Sequence, residues 1–211
     1  MFSGIVESTA KILRTEKNGS VYQVLIQKPE NFDDIKIGDS IAVNGVCLTV
    51  EKINPDSLQF AIGPETLKIT QWEKNLLKDS EVNLERSMKL GDRIHGHLVT
   101  GHVDALGFVV DVLSNEGTLF FAVQIPDAFK KYLWKKGSLC ISGVSLTVNE
   151  VDDDVVSFYL IPETLKKTNL KNIKSGDFVN IEFDYMAKAA IHYQETCSVR
   201  ASGLKDPEVE Q

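Results

Sequence analysis

The chain is written twice, and that narrows the folds open to it more than any other feature. GVCLTV at 45–50 returns as GVSLTV at 143–148, and PETLKIT at 64–70 returns as PETLKKT at 162–168. VNLE at 82–85 returns as VNIE at 179–182, and Ser3-Gly4-Ile5-Val6-Glu7 aligns with Thr100-Gly101-His102-Val103-Asp104. The blocks keep their order at a spacing of 97 or 98 residues. A period this long is a duplicated domain rather than a solenoid unit. The halves are expected at 1–97 and 98–184, with a tail at 185–211 outside the repeat.

Each half reads as short strands. Ser40–Val50, Leu119–Ile125 and Val155–Ile161 are rich in β-branched or aromatic residues. Turn signals separate such runs at Asn18-Gly19, Asn54-Pro55-Asp56, Asn115-Glu116-Gly117 and Asp152–Asp154. Many short strands with frequent turns predict an all-β fold of small barrels or sandwiches. Helix is expected in few places. Pro126–Trp134 places Phe129, Tyr132 and Leu133 at helical spacing, and each PETL block opens with Pro at a first helical position. In the tail, Met186, Ala189, Ala190, Tyr193 and Cys197 form one stripe. That stripe fits either subunit association or packing on its own barrel. Ser202-Gly203 is expected to end this helix, with a polar, frayed segment beyond.

Composition removes several function classes. The first 97 residues carry 12 Lys+Arg and 14 Asp+Glu, the remainder 11 and 16. Neither half has the basic stripe of a nucleic-acid binder. Glu7 and Lys11 interrupt the N-terminal apolar stretch, so no signal peptide is expected, and no run is long enough for a membrane span. Three cysteines, Cys47, Cys140 and Cys197, do not make a disulfide framework. A cytoplasmic protein with free thiols is expected. His95, Gly96, His97 and His102 invite a metal reading, but no Asp/Glu/Cys set completes a known pattern, and no metal is expected.

The repeated hexapeptide is the place to look for chemistry. Side chains of a strand alternate between faces. Val46, Leu48 and Val50 share one face, and Cys47 and Thr49 the other. In the second copy Val144, Leu146 and Val148 oppose Ser145 and Thr147. The apolar trio is expected inside a barrel, leaving a polar pair to face solvent or line a ligand groove. The only difference between the hexapeptides is Cys47 against Ser145, where two binding copies could divide a reaction.

MFSGIVE, GDSIAVNGVCLTV, GHLVTGHVD and GVSLTVNEV followed by IPETLKKT together resemble the riboflavin synthase family over about residues 1–184. The resemblance implies two tandem six-stranded Greek-key β-barrels with a C-terminal α-helix, assembled as a homotrimer. It implies that each barrel binds one 6,7-dimethyl-8-ribityllumazine, and that a site forms where barrels of two subunits face each other. A four-carbon unit then passes between the two lumazines, giving riboflavin and 5-amino-6-ribitylaminopyrimidinedione. The acidity of the lumazine C7 methyl implies that no metal or redox cofactor is required. Association with lumazine synthase stays open.

By the same resemblance, one pocket takes Gly4, Ile5 and Val6, with Ser40, Cys47, Leu48, Thr49 and the run Ala61, Ile62, Gly63, Pro64, Glu65, Thr66. The other takes Gly101, His102 and Val103, with Lys136, Ser145, Leu146, Thr147 and the run Ile161, Pro162, Glu163, Thr164, Leu165, Lys166. Ser145 is expected to help activate C7, and Cys47 to contact substrate in the other pocket. His102 could move a proton near neutral pH. Asp184 is a base, an orienter of Ser145 or a helix N-cap. Lys136 could stabilise charge on the ring. His97 reads as structural. Two rivals share the pattern: a non-catalytic lumazine- or flavin-binding protein, and a structural barrel or flavin-dependent reductase module. Retention of GV(C/S)LTV and PETL in both copies favours the enzyme.

Overall fold

The computed structural model describes residues 1–19, 21–76 and 78–201. The expected helix end at Ser202-Gly203 and the segment after it lie outside these residues. Six antiparallel strands close the first barrel: β1 (Ser8–Asn18), β2 (Val21–Gln27), β3 (Ser40–Val43), β4 (Val46–Asn54), β5 (Ser57–Ile62) and β6 (Glu81–Arg86). Their order around the wall is β1-β2-β5-β4-β3-β6, a Greek-key path closed by β1 on β6. Ile12, Val24, Ile26, Ile41, Leu58, Phe60 and Ile62 fill it. α1 (Pro64–Thr70) and α2 (Trp72–Asn75) follow β5, and Trp72 packs onto the same core.

The second copy repeats this path with β7 (Ala105–Asn115), β8 (Thr118–Gln124), β9 (Ser138–Ile141), β10 (Val144–Thr147), β11 (Glu150–Asp152), β12 (Val155–Leu160) and β13 (Phe178–Phe183). Its order is β10-β9-β13-β7-β8-β12-β11. β10 and β11 together hold the place of β4, so the wall is of the same six-strand type. The division falls where β4 has a bulge between Val50 and Lys52, and the Asn149 N–H reaches Ser157 O at 2.8 Å across it. A 3-10 helix at Asp127–Tyr132 occupies the expected helical run, with Phe129, Tyr132 and Leu133 against the second core. Both PETL blocks open short helices with Pro in the first turn, α1 and α3 (Pro162–Lys167).

Ser40–Val50 is not one strand. It is a hairpin whose turn, Asn44-Gly45, has positive φ at both residues (43° and 81°), the two-residue geometry that matches strand twist. Ser142-Gly143 makes the equivalent turn. The two turns meet, and this contact joins the barrels about a local two-fold. A Cβ on Gly45 would lie 2.7 Å from the Gly143 nitrogen, and one on Gly143 2.7 Å from the Gly45 nitrogen. Side-chain amides lock the contact reciprocally: Asn83 Nδ2 donates to Ser142 O at 2.8 Å, and Asn180 Nδ2 to Asn44 O at 2.9 Å. Phe2, Ala42, Val99 and Cys140 form a small buried cluster between the barrels.

α4 (Tyr185–Ala201) leaves the end of β13. Ala187, Lys188, Ile191 and Thr196 form its half-buried side among the described residues. Of the stripe read from sequence, Met186, Ala189, Ala190, Tyr193 and Cys197 are all exposed, so it does not pack on its own barrel.

Candidate active site

The hexapeptide strands alternate as expected. Val46, Leu48 and Val50 are buried, as are Val144, Leu146 and Val148; Cys47 and Ser145 are half-buried, and Thr49 and Thr147 are exposed. The structure departs from sequence in what lies on these strands. The two SGIVE-like segments change places. Gly4 O accepts from the Ser145 N–H at 2.8 Å, and Gly101 O from the Cys47 N–H at 2.8 Å. Val6 sits in the core of the second barrel, and Val103 packs against that of the first. Thus Gly4, Ile5 and Val6 belong beside Ser145, and Gly101, His102 and Val103 beside Cys47, the reverse of the grouping expected above. The approach needs glycine: a Cβ on Gly4 would lie 2.7 Å from Ser145 Cβ, and one on Gly101 2.5 Å from Cys47 Cβ.

His97, read from sequence as structural, is a functional candidate. Its Nδ1 lies 2.7 Å from Ser145 Oγ. Its Nε2 is buried without a hydrogen-bond partner among the described residues. Burial holds the imidazole below its ordinary value of 6.5, while the charge of Asp184 pulls it up. The ring is therefore neutral at pH 7, and a neutral imidazole can take a proton from the serine hydroxyl. Among the described residues no histidine side chain is hydrogen-bonded to Cys47, whereas Ser145 has His97.

Asp184 accepts from the Met186 N–H at 2.8 Å and the Ala187 N–H at 3.3 Å. It caps α4 and also supplies the charge felt by His97. His102 is exposed, with its N–H on Thr100 Oγ1 at 3.3 Å. Lys136 is exposed and left-handed (φ 67°) at the start of the second hairpin, where its N–H meets Val148 O. Ser40 pairs across the hairpin with Thr49.

The remaining candidates divide by what they can offer a ligand. Ile62, Leu48, Leu146 and Val6 are core residues, leaving only backbone to a ligand. Gly63, Pro64, Glu65, Ile161, Pro162, Glu163 and Lys166 are exposed, and Ile5 also is. Ala61, Thr66, Thr164 and Leu165 are half-buried. Thr66 and Thr164 each accept, through the carbonyl, a hydroxyl four residues on, from Thr70 at 2.7 Å and Thr168 at 2.8 Å, so the two turns are built alike. Ser3, Ile5 and Ser40 also line an open cavity of about 1030 Å³ between the first barrel and the 88–95 connection.

This paired arrangement has known relatives. The lumazine binding domain family matches residues 3–87 and again 100–184. Riboflavin synthase of Photobacterium leiognathi is 41% identical over 89% of this chain and 86% of its own. That of Escherichia coli (strain K12) is 36% identical over the full length of both chains. The chain belongs to the riboflavin synthase family. Among solved structures, LumP complexed with 6,7-dimethyl-8-(1'-D-ribityl) lumazine superposes with a TM-score of 0.79 at 26% identity, covering 87% of this chain and 99% of that one. LumP complexed with riboflavin gives a TM-score of 0.80 at 28% identity, with the same coverage. Family members named as synthases are thus more similar in sequence than LumP is.

Proposed function

We propose that the chain joins two molecules of 6,7-dimethyl-8-ribityllumazine, giving riboflavin and 5-amino-6-ribitylaminopyrimidinedione. The observation that carries this reading is a duplicated ligand surface with one asymmetric element. Two like substrates need two like pockets, and the Cys47 and Ser145 strands provide them. Among the described residues a histidine lies on Ser145 Oγ and none on Cys47 Sγ, so the proton chemistry belongs to the Ser145 side.

The C7 methyl of the lumazine beside Ser145 gives up a proton through Ser145 Oγ to His97. The carbanion spreads into the electron-poor ring, and its carbon bonds to the second lumazine. The transfer ends with four carbons added to one ring and removed from the other, so atoms balance between two substrates and two products. Asp184 supports the charged imidazolium that forms. Lys136 at the rim offers charge to the anionic ring. Cys47, Thr49 and His102 hold the second lumazine. Orientation does most of the work, since placing two reactants together removes several kcal/mol of barrier (about 7–11 in favourable cases).

The two pockets that meet come from different copies of the chain. The exposed stripe of α4 supports a homotrimer as the assembly that brings them together. Among the described residues no helix is long and apolar enough to cross a membrane, and the cytoplasm is the compartment proposed.

Proton exchange tests the assignment apart from turnover. Substrate kept in deuterated water with the protein should lose its C7 methyl proton signal by NMR. His97→Ala should slow that exchange about 100-fold, the scale of a positioned general base. Equal exchange in both proteins would place the base elsewhere.

A further inference from the structure

Two buried carboxylates take no part in the proton chemistry above. Glu85 lies in β6 and Glu182 in β13, at equivalent points of the repeat. They are 5% and 2% exposed. Among the described residues neither pairs with a cation; both are held by neutral donors. Glu85 Oε1 accepts from Ser3 N–H at 2.7 Å and Ser3 Oγ at 3.0 Å, and Oε2 accepts from Gly4 N–H at 3.0 Å. Glu182 Oε1 accepts from Thr100 N–H at 2.6 Å and Thr100 Oγ1 at 2.7 Å, and Oε2 from Gly101 N–H at 2.8 Å.

A carboxylate is the one common side chain that only accepts, on two oxygens at once. It can therefore close over two successive N–H groups and a hydroxyl. Taking a charge from water is costly, and burial pushes the Glu85 carboxyl up despite these bonds. The site spends that cost on one short segment. The segment then crosses to the other barrel, where Gly4 O receives Ser145 N–H and Gly101 O receives Cys47 N–H. Each glutamate is thus two hydrogen bonds, one to its own carboxylate and one between backbones, away from the reactive position of the opposite barrel.

We infer that Glu85 and Glu182 are reciprocal positioning residues: Glu85 of the first barrel sets the Ser145 pocket of the second, and Glu182 of the second sets the Cys47 pocket of the first. This rests on the reading of those strands as the two lumazine sites. In a Gln variant the amide nitrogen donates, so one segment N–H faces another donor. The backbone then withdraws from the partner strand while the barrel walls stay closed.

The test uses the intact protein and riboflavin as the probe. Calorimetric titration should resolve two riboflavin sites per chain. Glu85→Gln should weaken by tenfold or more the same site that Ser145→Ala weakens and leave the other within twofold. Glu182→Gln should do the reverse. In turnover, Glu85→Gln combined with Ser145→Ala should be no slower than the slower single variant, whereas Glu182→Gln and Ser145→Ala should multiply. If Glu85→Gln does not fold, Ser3→Ala removes the hydroxyl donor without creating a conflict, and should produce a smaller loss at the same site. Equal weakening of both sites, or none, would overturn the inference. Site-selective weakening in a protein that never makes riboflavin would leave the positioning intact and refute the synthase reading instead.

Discussion

Ser145 and His97 are the residues to which the proposed mechanism gives the proton chemistry, and only one of them is visible from the repeat. Ser145 stands out because it is the sole difference between two hexapeptides, and strand alternation places it correctly. His97 does not stand out, because its partner is 48 residues away. Its titration gives a direct prediction. Burial lowers the folded-state value below the ordinary 6.5, so the folded protein resists protonation that the unfolded chain accepts. The stability tied to neutral His97 is fully present above about pH 6.5 and is lost as the pH falls through the depressed folded value. Turnover should fall over the same acid range, because an imidazolium cannot take the Ser145 proton. His97→Gln should remove that acid limb from the kcat profile while lowering kcat about 100-fold. An unchanged limb in the variant would assign it to another group.

At the scale of elements, the sequence yields strand faces, the turn-bounded runs and the two PETL helices, since each is encoded within a few residues. It does not yield the hairpin within Ser40–Val50, where an apolar run on both sides hides the Asn44-Gly45 turn, although that dipeptide is itself a strong hairpin signal. Nor does it yield the exchange of the SGIVE-like segments. The two segments are equivalent under the repeat, so pairing each with its own barrel or with the other satisfies the same pattern. The packing of Val6 and Val103 and the Gly4 and Gly101 hydrogen bonds decide between them. The turn contact can be probed directly. Gly45→Ala places a Cβ against the Gly143 nitrogen at positive φ, so about 1–3 kcal/mol of stability should be lost. Urea denaturation should show a lower midpoint, and a midpoint equal to wild type would mean that the turns separate at little cost.

For the whole molecule, duplication gives two pockets that are alike in backbone and different in chemistry. The local two-fold at Gly45 and Gly143 makes the barrels one unit, and the crossed segments tie each pocket to residues of both barrels. The exposed α4 stripe bears on assembly. Met186→Glu with Tyr193→Glu should shift the protein toward monomer in light scattering after size exclusion and remove turnover, as the proposal that opposing pockets come from different copies requires. A monomer with full activity would place both lumazines within one chain. The decisive measurement is riboflavin formation from purified protein given 6,7-dimethyl-8-ribityllumazine in chelator, with Ser145→Ala and His97→Ala beside it. Steady riboflavin production by the wild type, lowered about 100-fold or more in each variant, is the predicted result. Tight lumazine binding with no riboflavin from the wild type, or equal rates in all three proteins, would contradict it.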